Sequence, residues 1–213
     1  MTKTMKAPVG KSTPQTPQSD KITKNNVEIG VVICSSEMRV GGNQNYDMAL
    51  AKIDPGYYKD ILLQYRGNKA TPQSANRFVV TKVDDNLCDD KRVFLFGNSS
   101  GYKEGKLRTS KPAEVPKSPY GKFIGSPQSQ DITVHDCIQV QSVRDHTVTR
   151  EGDSGGLWVN ENGDAVGIQV MIGEDSKIAF IHPMRLVMDY FHKNCDGSLR
   201  FLTPNDLPKQ TNP

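Results

Sequence analysis

The sequence has no apolar run long enough to cross a membrane as a helix, and no apolar leader core follows Met1. No membrane partner is therefore expected. With Met1 as the true start the protein would be cytoplasmic, whereas a start further upstream would allow secretion. Cysteine is sparse: Cys34, Cys88, Cys137 and Cys195 form neither a CxxC pair nor a zinc-ligand spacing. That argues against a disulfide framework and a metal centre, so buried free thiols, no metal and no cofactor are expected. Outside the first 26 residues there is no excess of positive charge. Lys3, Lys6, Lys11, Lys21 and Lys24 stand against Asp20 alone there, which more than accounts for the formal net charge of +3. A nucleic-acid partner is not expected from a basic tail of this kind. Histidine is rarest where it matters most, because none of the four occurs before His135.

What is present is a chain of 213 residues with 35% hydrophobic content and a mean hydropathy of −0.57. It is long enough to bury a sizeable core, yet polar enough that part of it should be disordered. Residues 1–26, rich in Lys, Thr, Pro, Gln and Ser, are expected to be a disordered arm. Strand-like apolar runs follow at Val27–Cys34, Met48–Ile53, Ile61–Tyr65, Phe78–Val83, Arg92–Phe96, Cys137–Val143, Leu157–Val159, Ala165–Met171 and Ile178–Ile181. The stretch Thr109–Gln130, with Pro112, Pro116, Pro119 and Pro127, is basic and expected to be mostly loop. Pro183 suits the first turn of a helix whose Met184, Val187, Met188 and Phe191 share one apolar face. Many short strands and one terminal helix predict an all-β barrel or sandwich.

The chemistry concentrates in Gly152-Asp153-Ser154-Gly155-Gly156, followed by Leu157-Trp158-Val159. A serine between glycines suits a nucleophile on a tight turn, where backbone N–H groups can converge on a developing oxyanion. An α/β-hydrolase would place a helix after that serine and an Asp and a His downstream. Here a strand follows, and too few residues remain for the later strands of that fold.

The order of motifs resembles the chymotrypsin-like serine peptidases. Gly152–Leu157 is similar to their nucleophile loop, and Asp164-Ala165-Val166-Gly167-Ile168 to the strand lining the substrate cleft. Val93–Gly97 with Ser100-Gly101-Tyr102 is similar to the opening of their second barrel, and Asp47–Ile53 to the strand carrying their aspartate. The resemblance implies a chymotrypsin-like double β-barrel with an incomplete N-terminal barrel, a complete C-terminal barrel and a C-terminal helix. Its parts would be residues 27–68 for the partial first barrel bearing the Asp and 69–88 for the inter-barrel segment. Residues 89–195 would form the second barrel bearing the Ser, with the terminal helix, and 196–213 a disordered tail.

The resemblance implies Ser154 as nucleophile, Asp47 as orienting acid, Gly152 and Ser154 N–H as the oxyanion hole, and Asp153 as a structural acid beneath the loop. The partner of Asp153 would be a freed N-terminal amine or an internal Arg, and neither is identifiable. Val148, Thr149 and Arg150 would wall the primary pocket, with Val170, Met171 and Ile172 opposite. No acid sits at the expected floor, so cleavage after an apolar or small residue of a protein or peptide is implied rather than after Lys or Arg. Oligomeric state is not legible.

The base is missing. The resemblance places a histidine before the aspartate, and His135, His146, His182 and His192 all lie far after it. Each is expected to be a surface or packing residue. Losing a triad member removes most of the rate, so the polypeptide as written is expected to have low or no activity. It would then be either a truncated endopeptidase, with Met1 internal to the real product, or a non-catalytic homologue that binds protein. A β-rich interaction domain with a coincidental glycine turn is the third alternative.

Overall fold

A computed structural model of the chain describes residues 21–24, 27–36, 45–57, 80, 82–115, 133–143, 147–173, 176–195 and 199–201. Among the described residues the fold is all-β with one α-helix, at the C-terminal end, as expected. Strands β1 (Lys21–Lys24), β2 (Val27–Ser35) and β3 (Ala49–Ile53) form an antiparallel sheet in the order β1-β2-β3. Strands β4 (Arg92–Gly97), β5 (Gly101–Val115), β6 (Val134–Ser142), β7 (Leu157–Asn160), β8 (Ala165–Ile172) and β9 (Ile178–Pro183) close a barrel in the order β4-β5-β6-β9-β8-β7. Helix α1 (Met184–Asn194) follows β9 directly.

The barrel is specified by alternation. Val93 and Leu95 of β4 point inward and are fully buried, while Phe94 and Phe96 point outward. Leu107, Val140, Trp158, Val166 and Ile181 meet them inside. The indole N–H of Trp158 donates to Gln169 Oε1 at 2.9 Å. The Gln169 amide in turn donates to the Met171 carbonyl at 2.7 Å and to Thr149 Oγ1 at 3.3 Å, so this buried amide is satisfied.

A second apolar cluster joins the sheet to the barrel. Tyr46 and Met48 pack with Ala165 of β8 and with Met184, Val187 and Phe191 of α1; Leu157 and Ile168 lie against them. The apolar face expected of the helix is the one buried. The chain before β4 is pinned to β8 by Asp84 N–H to the Ala165 carbonyl (2.8 Å) and Ala165 N–H to the Lys82 carbonyl (2.9 Å).

Lys21–Lys24, inside the stretch expected to be a disordered arm, is a strand, because β2 offers its backbone a partner with Ile22 opposite Gly30. At the start of the basic segment, β5 continues to Val115 with Ala113 opposite Cys137 and Val115 opposite Val134. Pro112 falls within the register shift between Arg108 and Ala113, where a residue without an N–H costs least. Cys137 is buried as expected but Cys88 is exposed. The strand expected at Ile61–Tyr65 lies outside the described residues, as do positions 78, 79 and 81 of the strand expected at Phe78–Val83. Val83 forms a bridge to Ala165 rather than a strand.

Candidate active site

The loop carrying Ser154 links residues 147–150 to β7 and is set against β8 by two backbone hydrogen bonds. Gly155 N–H donates to the Gln169 carbonyl and Gln169 N–H to the Gly156 carbonyl, each at 2.8 Å. Turn geometry puts Gly152 at φ +92° and Gly155 at φ +81°, values that L side chains rarely adopt. A side chain at Gly152 would also overlap the Ser99 hydroxyl. Ser154 is exposed at the tip, and its hydroxyl donates to the Val170 carbonyl at 3.4 Å. Among the described residues, neither the Gly152 nor the Ser154 N–H donates to a protein acceptor. Two unengaged donors therefore flank an exposed hydroxyl.

Beneath the loop, Asp153 is 1% exposed. Its Oδ1 accepts from Ser99 N–H (2.8 Å) and Ser100 N–H (3.1 Å), and its Oδ2 from Arg150 N–H (2.8 Å). Burial pushes this carboxyl up, but the hydrogen bonds from Arg150, Ser100 and Ser99 outweigh it and hold the group below the usual carboxylate range. Among the described residues no cation pairs with Asp153. Backbone amides do the work for which the sequence suggested an ammonium or an Arg. Gly97 makes this possible, because a side chain there would overlap the Asp153 carboxylate.

Asp47 lies two positions before β3 in the segment Asn45–Met48, which docks on β6 and β9. Its N–H donates to His182 Nε2 at 3.1 Å. Asn45 N–H donates to His135 Nδ1 at 3.1 Å, and the Asn45 carbonyl accepts from His135 N–H at 2.9 Å. The Tyr46 hydroxyl donates to Asp136 Oδ2 at 3.0 Å, and its ring meets His182 edge-on. Burial first, then the bond to Asp136, pushes the Tyr46 hydroxyl up to about 12. Burial pushes His182 down to about 4 against the pull of Asp136, so the imidazole is neutral. The Cys137 thiol, 3.7 Å from His182 Nδ1, is pushed up to about 12, chiefly by burial, and stays protonated.

The link from Asp47 to Ser154 runs through β8: His182 sits opposite Ile168, whose neighbour Gln169 holds Gly155. No described histidine hydrogen-bonds Ser154. His135 and His182 are engaged at the Asp47 segment, His192 Nε2 accepts from Leu199 N–H at 2.9 Å, and His146 lies outside the described residues.

The residues expected to wall a primary pocket divide sharply. Val148 and Thr149 are fully buried, Val148 in the barrel core and Thr149 against Gln169. Val170 packs with Val134 and Cys137. Arg150 is exposed, and Met171 and Ile172 are half-buried, so these three present the accessible surface of the set. Sequence reasoning missed Gln169, Ser99, His135 and His182 as organising residues. Only the turn Gly97–Gly101 left a signal, through the similarity of Val93–Gly97 and Ser100-Gly101-Tyr102 to the opening of a second barrel.

Solved structures similar to this one include Thermobifida fusca Protease A, at 18% identity and a TM-score of 0.49, covering 82% of this chain and 74% of that one. Cellulomonas bogoriensis chymotrypsin matches at 16% identity and a TM-score of 0.49, over 82% of this chain and 75% of that one. A glutamic acid specific serine protease matches at 14% identity and a TM-score of 0.49, over 78% and 73%. The structural neighbours are chymotrypsin/trypsin-like serine proteases. No family model and no curated protein matches the chain. At such identities the likeness concerns the fold, and the chemistry rests on the residues described above.

Proposed function

We propose that this chain is a trypsin-like serine endopeptidase homologue that engages a protein or peptide, with Ser154 as nucleophile. The observation that carries this is the Ser154 loop, in which the N–H groups of Gly152 and Ser154 are left unengaged beside an exposed hydroxyl while Asp153 is fixed below. In that chemistry Ser154 Oγ bonds to the peptide carbonyl carbon and its proton passes to water. The C–N bond then breaks as the amine gains a proton, and water hydrolyses the ester. Each oxyanion donor contributes about 2.7–4 kcal/mol to such a step.

With no described histidine on Ser154, turnover is slow. Donors and binding alone supply roughly 10³–10⁴-fold over water. A second reading, a non-catalytic homologue holding a peptide at the Ser154 loop, is favoured by the engagement of His135, His182 and His192 elsewhere. A fluorophosphonate probe separates the two. A covalent adduct mapped to Ser154 and lost in Ser154→Ala supports the nucleophile; folded protein that takes up no probe overturns it in favour of the second reading.

A further inference from the structure

Two imidazoles accept backbone N–H groups from one short segment, and that segment carries Asp47. His182 Nε2 takes the Asp47 N–H and His135 Nδ1 takes the Asn45 N–H, each at 3.1 Å. A ring nitrogen that accepts cannot carry a proton, so both bonds require the neutral rings, with the His182 proton on Nδ1 and the His135 proton on Nε2. We propose that His182 is an acid-release clamp: as a neutral acceptor it positions the Asp47 segment on the barrel beside the Asn45 bond to His135, and its protonation detaches the segment.

The residues are far apart in sequence, so the clamp is a tertiary device rather than a local turn. The two bonds are separated by 90 and 135 positions. His182 is fully buried beneath the segment it holds. The titratable groups facing it are Asp136 and Cys137 of β6, together with Tyr46 and Asp47 of the segment itself, and Tyr190 of α1 stands behind Tyr46. From β8, the residue opposite it is Ile168, which does not titrate. Asp136 favours the protonated ring, and burial opposes it more strongly, which keeps the acceptor neutral while the segment is docked.

The sign follows from the burial. A docked His182 titrates near pH 4 and a released one near its ordinary value of 6.5. Release therefore takes up a proton between those values, and falling pH favours the released state roughly tenfold per pH unit for that ring. Above 6.5 the clamp is insensitive to pH. The inference rests on the proposed function only for the role given to Asp47, and its test reads hydrogen bonds rather than catalysis. Failure of Ser154 to take up a probe therefore leaves it standing.

The test is amide hydrogen exchange of the full chain at Asp47 from pH 4 to 8, corrected for the intrinsic rate. Protection at Asp47 is expected to fall roughly tenfold per pH unit below about 6.5. In His182→Gln, whose amide oxygen is an acceptor that does not titrate, that slope should vanish. Constant protection at Asp47 in the wild type down to pH 4, or an unchanged slope in His182→Gln, overturns the clamp. Should the variant not fold, imidazole ¹⁵N shifts of the wild type at pH 7 decide. A bare Nε2 on His182 supports the clamp, and the opposite tautomer overturns it.

Discussion

The Ser99 N–H donates to Asp153 Oδ1 at 2.8 Å, and through that contact the β4–β5 turn sets the loop that presents Ser154. The carboxylate is matched by three backbone donors, all of which point at it. Asp153→Asn would turn an NH₂ group toward at least one of them. Hydrogen bonds to a charged group are worth about 1.5–3 kcal/mol each, so a loss of that order is expected in the urea unfolding midpoint. Because the folded carboxyl is held low, its contribution is complete above about pH 4 and is lost as pH falls through the folded value. The Asn variant should therefore show a flatter acid limb than the wild type.

Gly97 lies on the other side of the same carboxylate. A methyl group there would overlap Asp153 and crowd the Ser100 hydroxyl. Gly97→Ala is expected to cost about 1–3 kcal/mol, as overpacking does in a filled site. It should also slow labelling of Ser154 by a fluorophosphonate under conditions where the variant is still folded. An unchanged labelling rate would mean that the turn does not set the loop.

The Gln169 amide is the hub of the barrel's polar interior, joining Trp158, Thr149 and the Met171 carbonyl. Gln169→Leu keeps the volume and strands the indole N–H. An unsatisfied buried donor costs about 1–3 kcal/mol. The chain has one tryptophan, so fluorescence-monitored unfolding reads the site directly. The midpoint should fall while the slope with denaturant stays constant.

The parts of the fold legible in sequence were those written in local pattern. Val93 and Leu95 alternate with Phe94 and Phe96, and Met184, Val187 and Phe191 recur at helical spacing, so their elements and buried faces could be anticipated. The glycines around Ser154 announce a turn because no other residue tolerates it. His182 shows the limit. Along β9 it alternates with the inward residues Ala179 and Ile181, so the pattern points it away from the barrel. What buries it is a segment 135 positions earlier, and no local signal carries that fact. The anchoring of Asp153 was illegible for a related reason: its partners are backbone N–H groups, which every residue but proline possesses. The strand at Lys21–Lys24 has almost no apolar pattern, and exists because β2 offers it a ladder.

The segment leading into β4 is joined to the barrel at Asp84. Asp84 is buried, and its carboxylate is met by Lys91 Nζ at 2.7 Å, Asn160 Nδ2 at 2.7 Å and Asn86 N–H at 3.1 Å. Burial pushes this carboxyl up, and Lys91 with the two amides outweighs it, leaving the group below its ordinary range. Lys91→Met removes the only charge of opposite sign in that set and leaves the carboxylate under-compensated. Breaking a fully buried pair costs about 3–5 kcal/mol; with the Lys91 side chain still 23% exposed, about 2–3 kcal/mol is expected at neutral pH. The pH dependence should invert. In the wild type, Asp84 contributes stability above about pH 4 that acid removes. In the variant the folded carboxyl rises above its unfolded value, so the penalty is present at neutral pH and acid relieves it. The difference in unfolding free energy between the two proteins should therefore shrink steadily as pH falls from 7 toward 4. Asp84→Asn placed on Lys91→Met should recover most of the loss at pH 7, because the neutral amide needs no counter-charge. Equal deficits at pH 7 and pH 4 would show that Lys91 acts through packing alone.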